Sequence, residues 1–136
     1  MTTTDSGSLD HTRMTVRQGP LVGPVLGRLV GIHAARVPLP LDRLQDALLI
    51  ADAVAARAPA YALSERLPVS LRTSGGRLEM RVGPLREGGA TRVIEGAEVA
   101  GAGNVIERLS DDVRVRPATS GAEYLTITVS APERAA

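Results

Sequence analysis

Two stretches of this chain alternate strictly between hydrophobic and polar residues: Val69-Ser70-Leu71-Arg72-Thr73 and Leu78-Glu79-Met80-Arg81-Val82. Ser74-Gly75-Gly76-Arg77 lies between them and supplies a turn, so the pair predicts a β-hairpin. The same period of two recurs in Tyr124-Leu125-Thr126-Ile127-Thr128-Val129, a last strand. A strand over 113–115 and a turn over 117–122 precede it. Met14-Thr15-Val16-Arg17 reads as a short first strand. Elsewhere the period is helical. Residues 20–36 carry Val22, Val25, Leu26, Leu29, Val30 and Ile32 on a broad apolar face, with proline tolerated in the first turn. After the stiff Pro38-Leu39-Pro40 break, Asp42 with Gln45 three residues on reads as an N-cap and capping box. A second helix over 43–61 then follows Leu44, Ala47, Leu48, Ala51, Val54, Ala55 and Ala58, with Pro59 ending or kinking it.

Gly23, Gly27, Gly31 and Ala35 recur every four residues in the first helix, and Ala47, Ala51 and Ala55 do so in the second. Each helical glycine costs about 1 kcal/mol relative to alanine, so a close contact should compensate the stripe. The two stripes facing each other inside one subunit would provide it. A helix contact with a second subunit, giving a homodimer, is the alternative.

Residues 83–100 are glycine-rich with little periodicity, which predicts a long connection acting as a lid or mobile segment. Gly101-Ala102-Gly103-Asn104 then enters a short helix over 104–110. The order strand, helix, helix, hairpin, loop, helix, hairpin segregates helices from strands. It predicts an α+β fold, a two-layer sandwich whose mixed, mostly antiparallel sheet is covered by helices on one face. Val69, Leu71, Leu78, Met80, Val82, Leu125, Ile127 and Val129 should supply the buried side of the sheet, with Leu44, Leu48 and Val54 from the helix. One domain over 13–131 is expected, flanked by a disordered, Thr/Ser/Gly-rich tail over 1–12 and a short tail over 132–136.

Composition narrows the chemistry. The 136 residues are 43% hydrophobic and 23% charged, as in an ordinary globular domain. Aromatics are 1%, from Tyr61 and Tyr124, so stacked-base recognition has no obvious platform. Cysteine is absent, which excludes disulfides and thiolate chemistry. All 16 cationic residues are arginine, which reads either as the codon bias of a GC-rich genome or as phosphate or carboxylate recognition, and the missing lysine excludes a Walker A or Schiff-base lysine. The net charge is +1 with no basic patch standing out, so direct nucleic-acid binding is not expected. No apolar run reaches transmembrane length and residues 1–10 lack a signal-peptide pattern, so no membrane contact and a cytoplasmic location are expected. His11 and His33 are isolated and form no metal site, and no serine has a histidine pattern for a nucleophile triad.

The helix pair ending in an acidic position, the hairpin leading into a loop, and Gly-x-Gly before a helix that ends in Leu109-Ser110-Asp111-Asp112-Val113 together resemble the histidine-kinase-like ATPase fold. Within it the chain is most similar to the small anti-sigma-factor serine kinases of bacteria, over roughly residues 14–130. That resemblance implies three functional parts. An acid on the second helix, with an asparagine one turn later, would position a hydroxyl and hold magnesium. Asp52 matches the acid, but Ala56 stands at the asparagine position, and Asp52 also reads as a plain solvated carboxylate. An Asp-x-Gly-x-Gly loop would accept the adenine amino group. The matching stretch is Gly83-Pro84-Leu85-Arg86-Glu87, whose Gly83 has no acceptor, and Glu87 or Glu79 could replace it only in a shifted register. The third part, a phosphate loop, survives as Gly101, Ala102, Gly103 and Asn104, which also reads as a tight turn feeding the helix.

With two of three parts missing, the resemblance implies a regulator that docks on a protein partner, a sigma factor or an antagonist-like regulator. It implies no bound metal or cofactor and no kinase activity. The alternative is an active Mg-ATP-dependent serine kinase that phosphorylates an antagonist protein, using Asp52 and the glycine-rich loop. A structural subunit dimerising through the small-residue stripe is the third reading.

Overall fold

A computed structural model describes residues 10–132, with only the backbone described at Asp10. The bulk of both expected tails, 1–9 and 133–136, lies outside the described residues. Strand β1 (Asp10–Arg17) is followed by helices α1 (Val22–Ala34) and α2 (Leu41–Arg57), a 3-10 turn over Ala58–Tyr61, and the hairpin β2 (Arg66–Ser74) and β3 (Arg77–Leu85). Helix α3 (Gly89–Glu95), the two-residue strands β4 (Glu98–Val99) and β5 (Gly103–Asn104) and helix α4 (Val105–Leu109) come next. Strands β6 (Asp112–Pro117) and β7 (Glu123–Ser130) close the chain. The main sheet runs in the order β1-β2-β3-β7-β6, and every neighbouring pair is antiparallel rather than mixed.

The period of two decides which side of the sheet is buried. All eight hydrophobic sheet positions expected inside are buried, and they meet Leu26, Val30, Ala47, Ile50, Ala51 and Val54 from the helices in one core. Leu44 and Leu48 are only partly buried and pack at its margin. The buried positions of α2 are Ala47, Ile50, Ala51 and Val54, and the two leucines lie beside that seam. Asp42 is not the N-cap. Pro40 is, in extended conformation, and Asp42 sits in the first turn. Pro59 ends the α-helix and the chain continues as a 3-10 turn.

Two segments differ in kind from their sequence reading. Strand β1 starts at Asp10, and His11 and Thr12 pair with Arg72 and Leu71, so residues assigned to the tail belong to the sheet. Residues 83–100 are not a long connection. They contain the end of β3, helix α3 and β4. Helix α3 is held by the burial of Ala90 and Val93 and by a cap from across the sheet, where the Glu123 carboxylate accepts the Ala90 N–H at 2.9 Å. A cap supplied from a residue 33 positions away leaves no local signal in the sequence.

The small-residue stripes meet at one point. A Cβ on Gly23 would lie 3.9 Å from the Ala55 Cβ, whereas one on Gly27 or Gly31 would meet nothing within 4 Å. The intrasubunit contact therefore compensates only the first glycine. Gly27→Ala is expected to raise stability by about 1 kcal/mol, since alanine gains helix propensity without a clash. Urea denaturation measures it, and a loss of stability would show that the space beside Gly27 is needed.

Candidate functional site

Three positions were expected to carry nucleotide chemistry, and each is placed by local geometry. Asp52 and Ala56 follow one another by a turn on α2, and both are exposed. Gly83 sits where β3 bulges, between Val82 and Leu85. Its φ is +122°, and a Cβ there would lie 2.9 Å from the Leu85 nitrogen and 3.0 Å from the Glu123 carbonyl oxygen. Backbone closes the position from two sides, so no side chain fits where an adenine acceptor would be required. Neither substitute acid takes its place: Glu79 points to the far face of the sheet from the helices, and Glu87 is exposed in the turn before α3.

The glycine-rich stretch forms the turn of the β4–β5 ribbon. The Ala102 N–H donates to the Val99 carbonyl at 2.9 Å, and Gly101 and Gly103 take φ of +82° and +78°, which glycine accepts without strain. Asn104 is the N-cap of α4: its Oδ1 accepts the Glu107 N–H at 3.0 Å while its Nδ2 donates to the Ile94 carbonyl at 2.7 Å. The Val105 N–H donates to the Ala97 carbonyl at 3.0 Å. Two of the helix-start amides that a phosphate would need are thus satisfied by the chain itself. Arg108 folds back over the turn, donating to the Ala102 carbonyl at 2.8 Å, with its Cδ 3.0 Å from where a Gly103 Cβ would sit.

The far side of the sheet is different in character. No helix of the described residues packs there, and the non-core positions of the strands form rows across it by register. One row is His11, Arg72, Glu79, Thr128 and Asp112; the next is Arg13, Ser70, Arg81, Thr126 and Arg114. Thr15, Pro68, Tyr124 and Arg116 continue it, and the pair Arg17 and Arg66 and, at the opposite end, Arg77 complete it. Arg13, Arg17, Arg66, Arg72, Arg77, Arg81, Arg114 and Arg116 are all exposed, and the face carries two acids, Glu79 and Asp112. Its concave parts, of about 690 Å³ and 450 Å³, share Glu79, Arg81 and Tyr124.

Electrostatics follows from that placement. In the central row the arginines occupy alternate strands, with Ser70 and Thr126 between them. Strands two apart are separated by roughly 10 Å, close to one screening length at physiological salt, so the fields of neighbouring arginines add above the face. Arg114 pairs with Asp112 at 2.7 Å, and the Arg81 guanidinium lies 3.7 Å from the Tyr124 ring centroid. Among the described residues the other six have no carboxylate within 4 Å. Glu79 and Asp112 lie beside Thr128, which they help to bury although it faces outward.

The net charge of +1 conceals this face, because the remaining described residues carry seven arginines and eleven acids. Its signal in the sequence is the parity of the arginines. Arg13 and Arg17, Arg66 and Arg72, Arg77 and Arg81, and Arg114 and Arg116 all fall at even separations and out of phase with the core positions of their strands.

His33, isolated in the sequence, is buried, with its Nε2 at 2.7 Å from the Thr12 hydroxyl, joining α1 to β1. Among the described residues no three His, Asp or Glu side chains converge to hold a metal ion, and no helix is long and apolar enough to cross a membrane. No protein-family model matches this chain, and no curated protein matches it in sequence.

Proposed function

We propose that this chain is a regulatory protein of the histidine-kinase-like ATPase type, resembling the anti-sigma-factor serine kinases, that acts by docking on a protein partner without nucleotide chemistry. The element order, with two helices between the first strand and the central hairpin and a short helix after the glycine-rich turn, supports the family reading. The observation that carries the functional reading is Gly83. Its place is closed by the Leu85 nitrogen and the Glu123 carbonyl, so the purine donor would meet no side-chain acceptor and would lose its hydrogen bond on burial. Ala56, which cannot ligate magnesium, and the self-satisfied start of α4 support it from two further directions. The partner on this reading is a sigma factor or an antagonist-like regulator.

Calorimetric titration of the protein with Mg-ATP up to millimolar concentration is the test. No saturable heat is expected. Micromolar, magnesium-dependent binding would overturn the proposal and favour an active serine kinase using Asp52 and residues 101–104.

A further inference from the structure

We infer that the open face of the sheet is the docking surface and that its occupant is an acidic, extended segment of a partner protein. The inference rests on the docking reading above and gives the partner its chemistry. Three observations lead to it.

The first is charge complementarity. Eight exposed arginines share one face with two acids, while the rest of the described chain carries an excess of acids, so the molecule has an electrostatic polarity that its net charge hides. Seven of those arginines, all but Arg114, have no carboxylate within 4 Å among the described residues, and the six other than Arg81 have no ring contact either, so their guanidinium groups keep their donors for a ligand. A guanidinium matches a carboxylate with two parallel hydrogen bonds, which makes this face suited to a row of Asp or Glu side chains.

The second is shape. The face is a shallow trough rather than an enclosed cavity, and the arginines of its central row stand on β1, β3 and β6. An extended peptide crossing the strands would present carboxylates to each in turn. A compact small anion would engage one arginine or two and leave the others unused.

The third separates protein from nucleic acid. Readers of single-stranded nucleic acid on an open sheet stack bases on exposed aromatic rings. Here Tyr124 is the one aromatic residue on the face, and the Arg81 guanidinium lies over its ring. The face therefore offers charge and hydroxyls but no free aromatic ring for a base to stack on.

The test uses the full chain and two fluorescent probes of equal charge: a ten-residue peptide of alternating Asp and Glu, and a single-stranded oligonucleotide of mixed sequence. In 50 mM salt the peptide should bind saturably and at least tenfold more tightly than the oligonucleotide. Raising the salt to 300 mM should weaken it at least tenfold. The double variant Arg13→Glu, Arg81→Glu should weaken the peptide at least tenfold, while Arg28→Glu, Arg92→Glu on the helical side should change it less than twofold. Circular dichroism of both variants keeps misfolding apart from loss of contact. Should the Arg13/Arg81 variant misfold, Arg13→Gln with Arg114→Gln replaces it and should weaken binding at least threefold.

Three results of the binding experiment would overturn the inference. They are no peptide binding at 50 mM salt, equal loss in the sheet-face and helical-side variants, or preference for the oligonucleotide, which would assign the face to nucleic acid. Sedimentation at both salts supplies the remaining arm: salt-sensitive self-association abolished by Arg13→Glu, Arg81→Glu would make the occupant a second copy and overturn it too. Failure here leaves the Mg-ATP titration unaffected, so loss of this inference and loss of the docking reading are distinguishable.

Discussion

Gly83→Asp, the substitution that would introduce a carboxylate at the position proposed for an adenine acceptor, should unfold the protein rather than confer nucleotide binding. Two costs add at this position. The backbone is held at φ +122°, a region that residues with a Cβ enter at a cost of roughly 1–3 kcal/mol. The added Cβ would also press on the Leu85 nitrogen at 2.9 Å and the Glu123 carbonyl at 3.0 Å, which are backbone atoms and cannot swing away. Glu123 is fixed in turn, because its carboxylate caps α3 through the Ala90 N–H. Relief must therefore come from moving β3 against β7, the central pair of the sheet. A loss of more than about 3 kcal/mol is expected, against a total stability of about 5–15 kcal/mol for a domain.

The control is Gly101→Ala. That residue also has a positive φ, +82°, but open space where the Cβ would go, so only backbone strain of about 1–2 kcal/mol applies. Thermal melts of both variants, with a Mg-ATP titration of each, measure the contrast. A Gly83→Asp protein as stable as the parent that binds Mg-ATP would show that the bulge opens readily, and the argument for a closed purine position would be lost.

The difference between those two glycines marks what the sequence could carry. Wherever a signal is local and periodic it was legible. The alternation in 69–73, 78–82 and 124–129 put the correct face of three strands inside, because a strand buried on one side must repeat every two residues. Arrangements made at long range were not legible. Helix α3 depends on Glu123, Gly83 is confined by a carbonyl from β7, and β1 extends to Asp10 because β2 is there to pair with it. The arginine face falls between these cases. Each strand shows only two arginines or fewer at even spacing, which in isolation is an ordinary solvated side. Only the register of five strands brings them together. Gly83 is visible in the sequence as a residue without an acceptor, but the space around it, closed by the Leu85 nitrogen and the Glu123 carbonyl, is not.

Arg43→Ala is expected to cost about 2–3 kcal/mol, a large effect for an arginine near the surface, where truncations usually stay within about 0.5 kcal/mol. The reason is that this side chain, 17% exposed, donates to four groups of the fold. Its Nε donates to the Ser130 carbonyl at 3.2 Å, and its Nη1 donates to Asp46 at 2.7 Å and to the Leu109 carbonyl at 3.1 Å. Its Nη2 donates to Asp111. Asp111 in turn accepts the Ser130 N–H at 2.7 Å and gives its own N–H to the Thr128 carbonyl at 2.8 Å. The first turn of α2, the end of α4 and the end of β7 are thereby tied to one guanidinium. Truncation would leave the Leu109 carbonyl without this donor in a part-buried site, where the missing partner costs more than the bond itself was worth, and would remove the ion-pair partner of the exposed Asp111 carboxylate. Arg43→Lys should recover less than half of the loss, because an ammonium cannot span the same fork. In a double-mutant cycle with Asp111→Asn the two losses should overlap by about 1 kcal/mol or more, as they do for residues within one network. Urea denaturation of the three single variants and the double variant, with exposed Arg28→Ala as the reference, provides the measurement. An Arg43→Ala protein within 0.5 kcal/mol of the parent, or losses that simply add, would show that the helical layer is held to the sheet by its apolar seam alone.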